Sequence, residues 1–142
     1  MRVMLASVGL VSLAIAGCGG KNIPDVAPVN GTVRVDGRPQ SGVLVRFLPD
    51  PEKGNNSSFE AFGVTDQQGK YTLRYSFAGK EGEGAAVGWN RVVCNDSTVT
   101  LPVPGQPSRK PAFPYTYADP TTSPFQFEVK PEGSSIDLEI KK

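Results

Sequence analysis

The chain has no histidine among its 142 residues. That excludes a Ser-His-Asp triad, Cys-His nucleophile activation and the commonest zinc ligand sets, all of which rely on an imidazole. Cysteine is nearly as scarce, with only Cys18 and Cys94. Neither sign of charge prevails, since 15 basic residues stand against 14 acidic ones. A chain with no basic surplus is not built to neutralise a phosphate backbone, and there is no acidic block to form a charged tail. No amphipathic helical period runs for more than a few residues. What is plentiful is glycine and proline, 16 and 13 residues, which punctuate a chain into turns. These features predict an all-β protein with no cofactor.

The first residues have their own logic. Met1-Arg2 is followed by an uncharged run from Val3 to Ala16. A positive start, a short apolar run and small residues at its end make a secretory signal. The run falls short of the roughly 20 apolar residues of a comfortable transmembrane helix. It ends in Ile15-Ala16-Gly17-Cys18, which resembles the lipobox of bacterial lipoproteins. That resemblance implies removal of residues 1–17 and lipid on the Cys18 thiol, with the membrane as a partner through that lipid. An uncleaved signal anchor, or a plain signal peptide with an incidental cysteine, is the alternative. Acyl chains contribute about 0.8 kcal/mol per buried methylene, so several of them hold a protein on a bilayer. Without Arg2 the remaining chain has 14 basic and 14 acidic residues and sums to zero. With Cys18 acylated, Cys94 has no intrachain partner.

The rest divides into a tether over 18–28 and one domain over 29–142, a single domain's length. Val29, Gly31, Val33 and Val35 share one face of an alternating run, and Asp36-Gly37 marks a turn. Val43, Val45 and Phe47 share the next face, and residues 49–58 read as a loop. "FEAFGV" reads as a strand, the tight turn Asp66-Gln67-Gln68-Gly69 follows it, and Tyr71, Leu73 and Tyr75 share one face of the strand after. Residues 76–86 read as a second loop and 87–95 as a strand, while 95–124, with seven prolines, look irregular. Phe125, Phe127 and Val129, then Ile136, Leu138 and Ile140, predict a last hairpin around Pro131-Glu132-Gly133. Seven short strands at this spacing predict a β-sandwich.

Two of these stretches resemble a known family. "VNGTVRVDGRPQSGVLVRF" and "AFGVTDQQGKYTL" are similar to carboxypeptidase-regulatory-like domains, whose fold is similar to transthyretin. The shared positions are Gly31, Val33, Asp36, Gly37, Pro39, Gly42, Val43 and Val45, then Thr65, Asp66, Gly69, Tyr71 and Leu73. "GAAVGWNRVVC" resembles the family's third signature, departing at Asn90, where an aromatic residue is common, and at Cys94, where valine or isoleucine is common. "PYTYADPTTSPFQFEV" resembles a segment of small bacterial lipoproteins with this domain. The resemblance implies a seven-stranded Greek-key sandwich and a non-enzymatic surface module.

Candidate chemistry is thin. Asp66 and Gly69 lack the alternating oxygen ligands of a calcium loop and fit a self-bonded turn. Gly82-Glu83-Gly84 has no strand–helix unit around it and is no dinucleotide loop. Asp50, Glu81 and Glu83 read as solvated loop charges rather than a glycosidase pair. "PVPGQPSRKPAFP" is rich enough in proline for a polyproline ligand, but an extended crossover suits the resemblance better. With Arg34 and no lysine on the first strand, the isopeptide crosslink of related adhesin domains is not expected.

The functional expectation is a non-catalytic, membrane-anchored envelope lipoprotein that binds an envelope protein or glycan. The alternative is an accessory subunit of an envelope hydrolase or transferase. If strands alternate in direction, the turns at 36–37 and 66–69 share one end with segment 95–124. The loops 49–58 and 76–86 share the other end with the tether. Irregular loops on a rigid scaffold concentrate binding residues, and exposed aromatics make anchors. Phe113, Tyr115 and Tyr117 are therefore the candidate partner-binding residues, with sealing of the sandwich edge as the competing role for Phe113 and Tyr117. Cys94 is expected to be a buried core thiol.

Overall fold

Alternating valines along residues 29–35 do form a strand, because one face is wholly taken up by the core. In the computed structural model, which describes residues 25–100 and 103–142, Val29, Val33 and Val35 are buried while Asn30 and Arg34 face solvent. The described strands, in chain order, are β1 (Val26–Ala27), β2 (Val29–Val35), β3 (Arg38–Pro39), β4 (Val43–Pro49), β5 (Ala61–Val64), β6 (Lys70–Thr72), β7 (Arg74–Phe77), β8 (Lys80–Glu83), β9 (Ala85–Ala86), β10 (Gly88–Asp96), β11 (Phe125–Val129), β12 (Ser134–Ser135) and β13 (Leu138–Ile140). Single turns of 3-10 helix occupy Pro51–Lys53 and Tyr115–Ala118. Among the described residues no helix is long and apolar enough to cross a membrane. Residues 1–17, Cys18 and the tether up to residue 24 lie outside the described residues.

The protein is all-β and sandwich-like. One sheet has six strands in the order β11-β10-β4-β5-β7-β8. The other is centred on β2, with β3 and β6 antiparallel along one edge and β12 and β13 parallel along the other. Both sheets turn apolar faces to a common core that includes Val33, Val43, Val45, Phe47, Leu73, Val92, Leu138 and Ile140.

Four expectations change. The strand through Tyr71, Leu73 and Tyr75 is split at Leu73. The Leu73 amide donates to Val29 O in one sheet, and its carbonyl accepts from Gly84 N beside the other. Such sheet-switching and short breaks at Pro28 and Val87 turn seven expected strands into thirteen segments among the described residues. The expected loop 76–86 is instead the hairpin β7–β8 followed by β9. Its turn residues Ala78 and Gly79 both have positive φ, 51° and 77°, which matches the right-handed twist of the flanking strands. Lys80, Glu81 and Glu83 made it look like a loop, but charge is what an edge strand carries to avoid pairing with other chains.

The last two strands are no hairpin. β11 pairs with β10, whereas β13 runs parallel to β2 in the opposite sheet. The turn at Gly133 (φ 102°) brings Ser134 N to Pro28 O and carries the chain between sheets, so β2 gains a partner on its second edge. Finally, the tether is shorter than 18–28. Val26 and Ala27 pair with Ala86 and Ala85, and Ala27 is buried.

Candidate functional site

The molecule has two distinct ends. At the distal end, Gly69 O accepts from Val33 N, Gly42 O accepts from Ser97 N, and Asp36 Oδ1 accepts from Lys142 N. These bonds gather the turns at 36–37 and 66–69 with the base of segment 97–112. At the proximal end, β1 enters beside β9, and the Gly133 turn packs on Pro28.

Segment 97–112 leaves and rejoins the fold at one carboxylate. Asp96 Oδ1 accepts from Thr98 N (2.9 Å) and Thr98 Oγ1 (2.6 Å), and Asp96 Oδ2 accepts from Ala112 N (2.9 Å). Burial by itself would raise this carboxyl. The Thr98 hydroxyl, the Ala112 and Thr98 amides and the nearby Arg109 outweigh it and hold the group below its usual value.

Beyond this clasp the three candidate aromatics separate. Phe113 is only 6% exposed and belongs to the core. Its ring meets Tyr117 edge-on at 6.3 Å; Tyr117 meets Phe125 at 5.5 Å, and Phe125 meets Phe127 at 6.3 Å. This ladder covers the sandwich edge, and Tyr117 also takes a hydrogen bond from Lys141 N on its hydroxyl. Phe113 thus packs in the core rather than standing out at the surface. Tyr115, two residues on, is 76% exposed. It borders a groove of about 420 Å³ with Lys110, Pro111, Pro114 and Lys142, and Phe113 reaches the same groove. Among the described residues neither of those lysine side chains pairs with a carboxylate.

Other singled-out residues have settled roles. Cys94 is fully buried, and burial pushes its thiol up to about 12. Tyr71, also pushed upward by burial, donates to Ile136 O at 2.6 Å. Its ring crosses Gly31, where a Cβ would lie 1.8 Å from Ile136 O. Asp66 accepts from the Gln68 and Lys70 amides, and Gly69 has φ 73°. Asp50 is buried, caps the turn at Pro51–Lys53 and accepts from Arg91 Nε. Among the described residues no three His, Cys, Asp or Glu side chains cluster as a metal site would require.

Sequence reading missed a second feature, at the proximal end. Loop 50–57 is bolted to the start of β10, and together they form a groove beside Trp89. The signal available was Asp50-Pro51 opening a capped turn and Gly54 closing it. Comparison of the chain with known protein families, curated proteins and solved structures returns no match.

Proposed function

We propose that this protein is a lipid-anchored module of the bacterial cell envelope, held on the extracytoplasmic side through Cys18. In this reading it binds an envelope protein or glycan and performs no catalysis. Its fold is the transthyretin-like, carboxypeptidase-regulatory-like Greek-key sandwich. The observation that carries the reading is polarity: the chain enters the domain at the end opposite Tyr115. A tether of residues 18–25 spans at most ~28 Å. Anchored there, the module stands close to the bilayer and turns Tyr115, Lys110 and Lys142 away from it. An exposed tyrosine on a fixed backbone is a low-entropy anchor for a partner. Lys110 and Lys142 give the same groove a preference for acidic groups.

The anchor is tested by intact mass and fractionation. Wild-type protein is expected to lack residues 1–17, carry lipid and sediment with membranes, and Cys18→Ser to appear unlipidated and unprocessed. An unmodified Cys18, or a membrane-bound and processed Cys18→Ser variant, contradicts the reading.

A further inference from the structure

We infer that the proximal groove beside Trp89 is a saccharide-binding site for a neutral sugar. It goes beyond the proposed distal surface and does not depend on the lipid anchor. The first observation is how firmly this one residue is gripped. The Trp89 carbonyl accepts from both Asp50 N and Asn55 Nδ2, each at 3.0 Å. Asn55 N donates to Asp50 O, and Asn55 Oδ1 accepts from Ser57 N. On the far side of Trp89, Asn90 Nδ2 donates to Ala86 O and Gly88 O. Among the described residues, three of the four buried polar ones, Asp50, Asn55 and Asn90, therefore converge on this strand start. These bonds fix the backbone from which the indole projects at the surface groove, and Asn90 Oδ1 alone of this network is left without a partner among the described residues.

The second observation is what surrounds the indole. The groove, about 470 Å³, lies within the usual size of ligand clefts, about 300–1,000 Å³. It is lined by Lys53, Asn55, Asn56, Ser57, Trp89 and Glu128 among others. Glu128 lies directly across the strand pair from Trp89, and Lys53 Nζ sits 4.0 Å from the ring centroid. Glu128 only accepts, Lys53 only donates, and Asn56 and Ser57 do both. One positive and one negative charge leave the groove neutral. A singly charged ligand would gain from one of these two groups and lose against the other, and an apolar molecule would leave both unpaired. A pyranose fits all three conditions: its hydroxyls each donate and accept, and its C–H face packs on an indole. Lys53 covers the ring, and its flexible stem lets the ammonium exchange the indole for a sugar oxygen.

Trp89 is the chain's single tryptophan, so its fluorescence reports this groove alone. The full chain is titrated with cellotriose, maltotriose and chitotriose, each up to about 10 mM. At least one is expected to change the emission saturably. Asn56→Ala and Glu128→Gln, both at exposed positions, are expected to weaken that binding roughly tenfold with unchanged melting temperature. Trp89→Phe, followed by calorimetry, should bind more weakly. The inference is overturned if none of the three sugars changes the emission, or if both polar variants bind as wild type does.

Discussion

The candidate surfaces at the two ends of this molecule rest on different supports. The loop beside Trp89 is organised by buried polar groups: Asp50 and Asn55 fix loop 50–57 against β10, and Asn90 ties the turn from Ala86 to Gly88. The distal end is organised by aromatic packing under an irregular segment whose entry and exit meet at Asp96. A polar network loses its geometry when one member is removed. An aromatic ladder loses stability in proportion to the ring deleted, yet leaves an exposed neighbour such as Tyr115 free to be changed. Binding surfaces can therefore be separated from support residues at the distal end more cleanly than at the proximal end.

The largest expected effect breaks the ladder. Phe113→Ala should destabilise the domain by about 3–5 kcal/mol, the usual cost of removing a buried phenylalanine ring. Tyr115→Ala should change stability by no more than about 0.5 kcal/mol, as at most exposed positions. Chemical denaturation of both variants checks this, and equal losses would merge the two roles.

The next effect breaks the proximal network. Asp50→Ala removes the partner of Arg91 Nε and of the Glu52 amide and should cost about 1–3 kcal/mol. Trp89 emission should shift to the red as loop 50–57 loosens, a readout that Phe113→Ala should not produce below its own unfolding transition.

How far could all this be read from the sequence? The core positions were legible, because Val33, Val43, Val45, Phe47, Leu138 and Ile140 follow a period of two and face one core. The Asp66 turn was legible for the same reason that it forms: local hydrogen bonding and a positive-φ glycine. Pairing was less so. Nothing in "FQFEVKPEGSSIDLEI" says that the chain crosses between sheets, since strand partners are decided by which edges remain free. Charges on the β8 edge hid a strand. At the distal end, periodicity is silent in a proline-rich segment, so Phe113 and Tyr115 could not be told apart until their burial was known.

A smaller effect sharpens the distal side by pH. The Asp96 carboxyl lies below its unfolded value in the native state, so its contribution is fully present above the unfolded pKa of about 3.9. It is lost as pH falls through the folded value. Amide exchange over residues 97–112 should accelerate in that acid range before the six-stranded sheet opens, and Asp96→Asn should remove the dependence. The smallest effect is chemical. Cys94, buried and poorly ionised, should label slowly with a thiol reagent in native protein and rapidly once unfolded.

In the proposed reading the distal face carrying Tyr115 meets a partner, and the rings beneath it support the fold. A photo-crosslinking residue in place of Tyr115, activated in intact envelopes, tests this most directly. A discrete crosslinked product is expected from position 115, one that disappears in competition with excess unmodified protein. No such product is expected from a crosslinker at Arg34, on the solvent side of β2. A product from Arg34 with none from position 115 would contradict it.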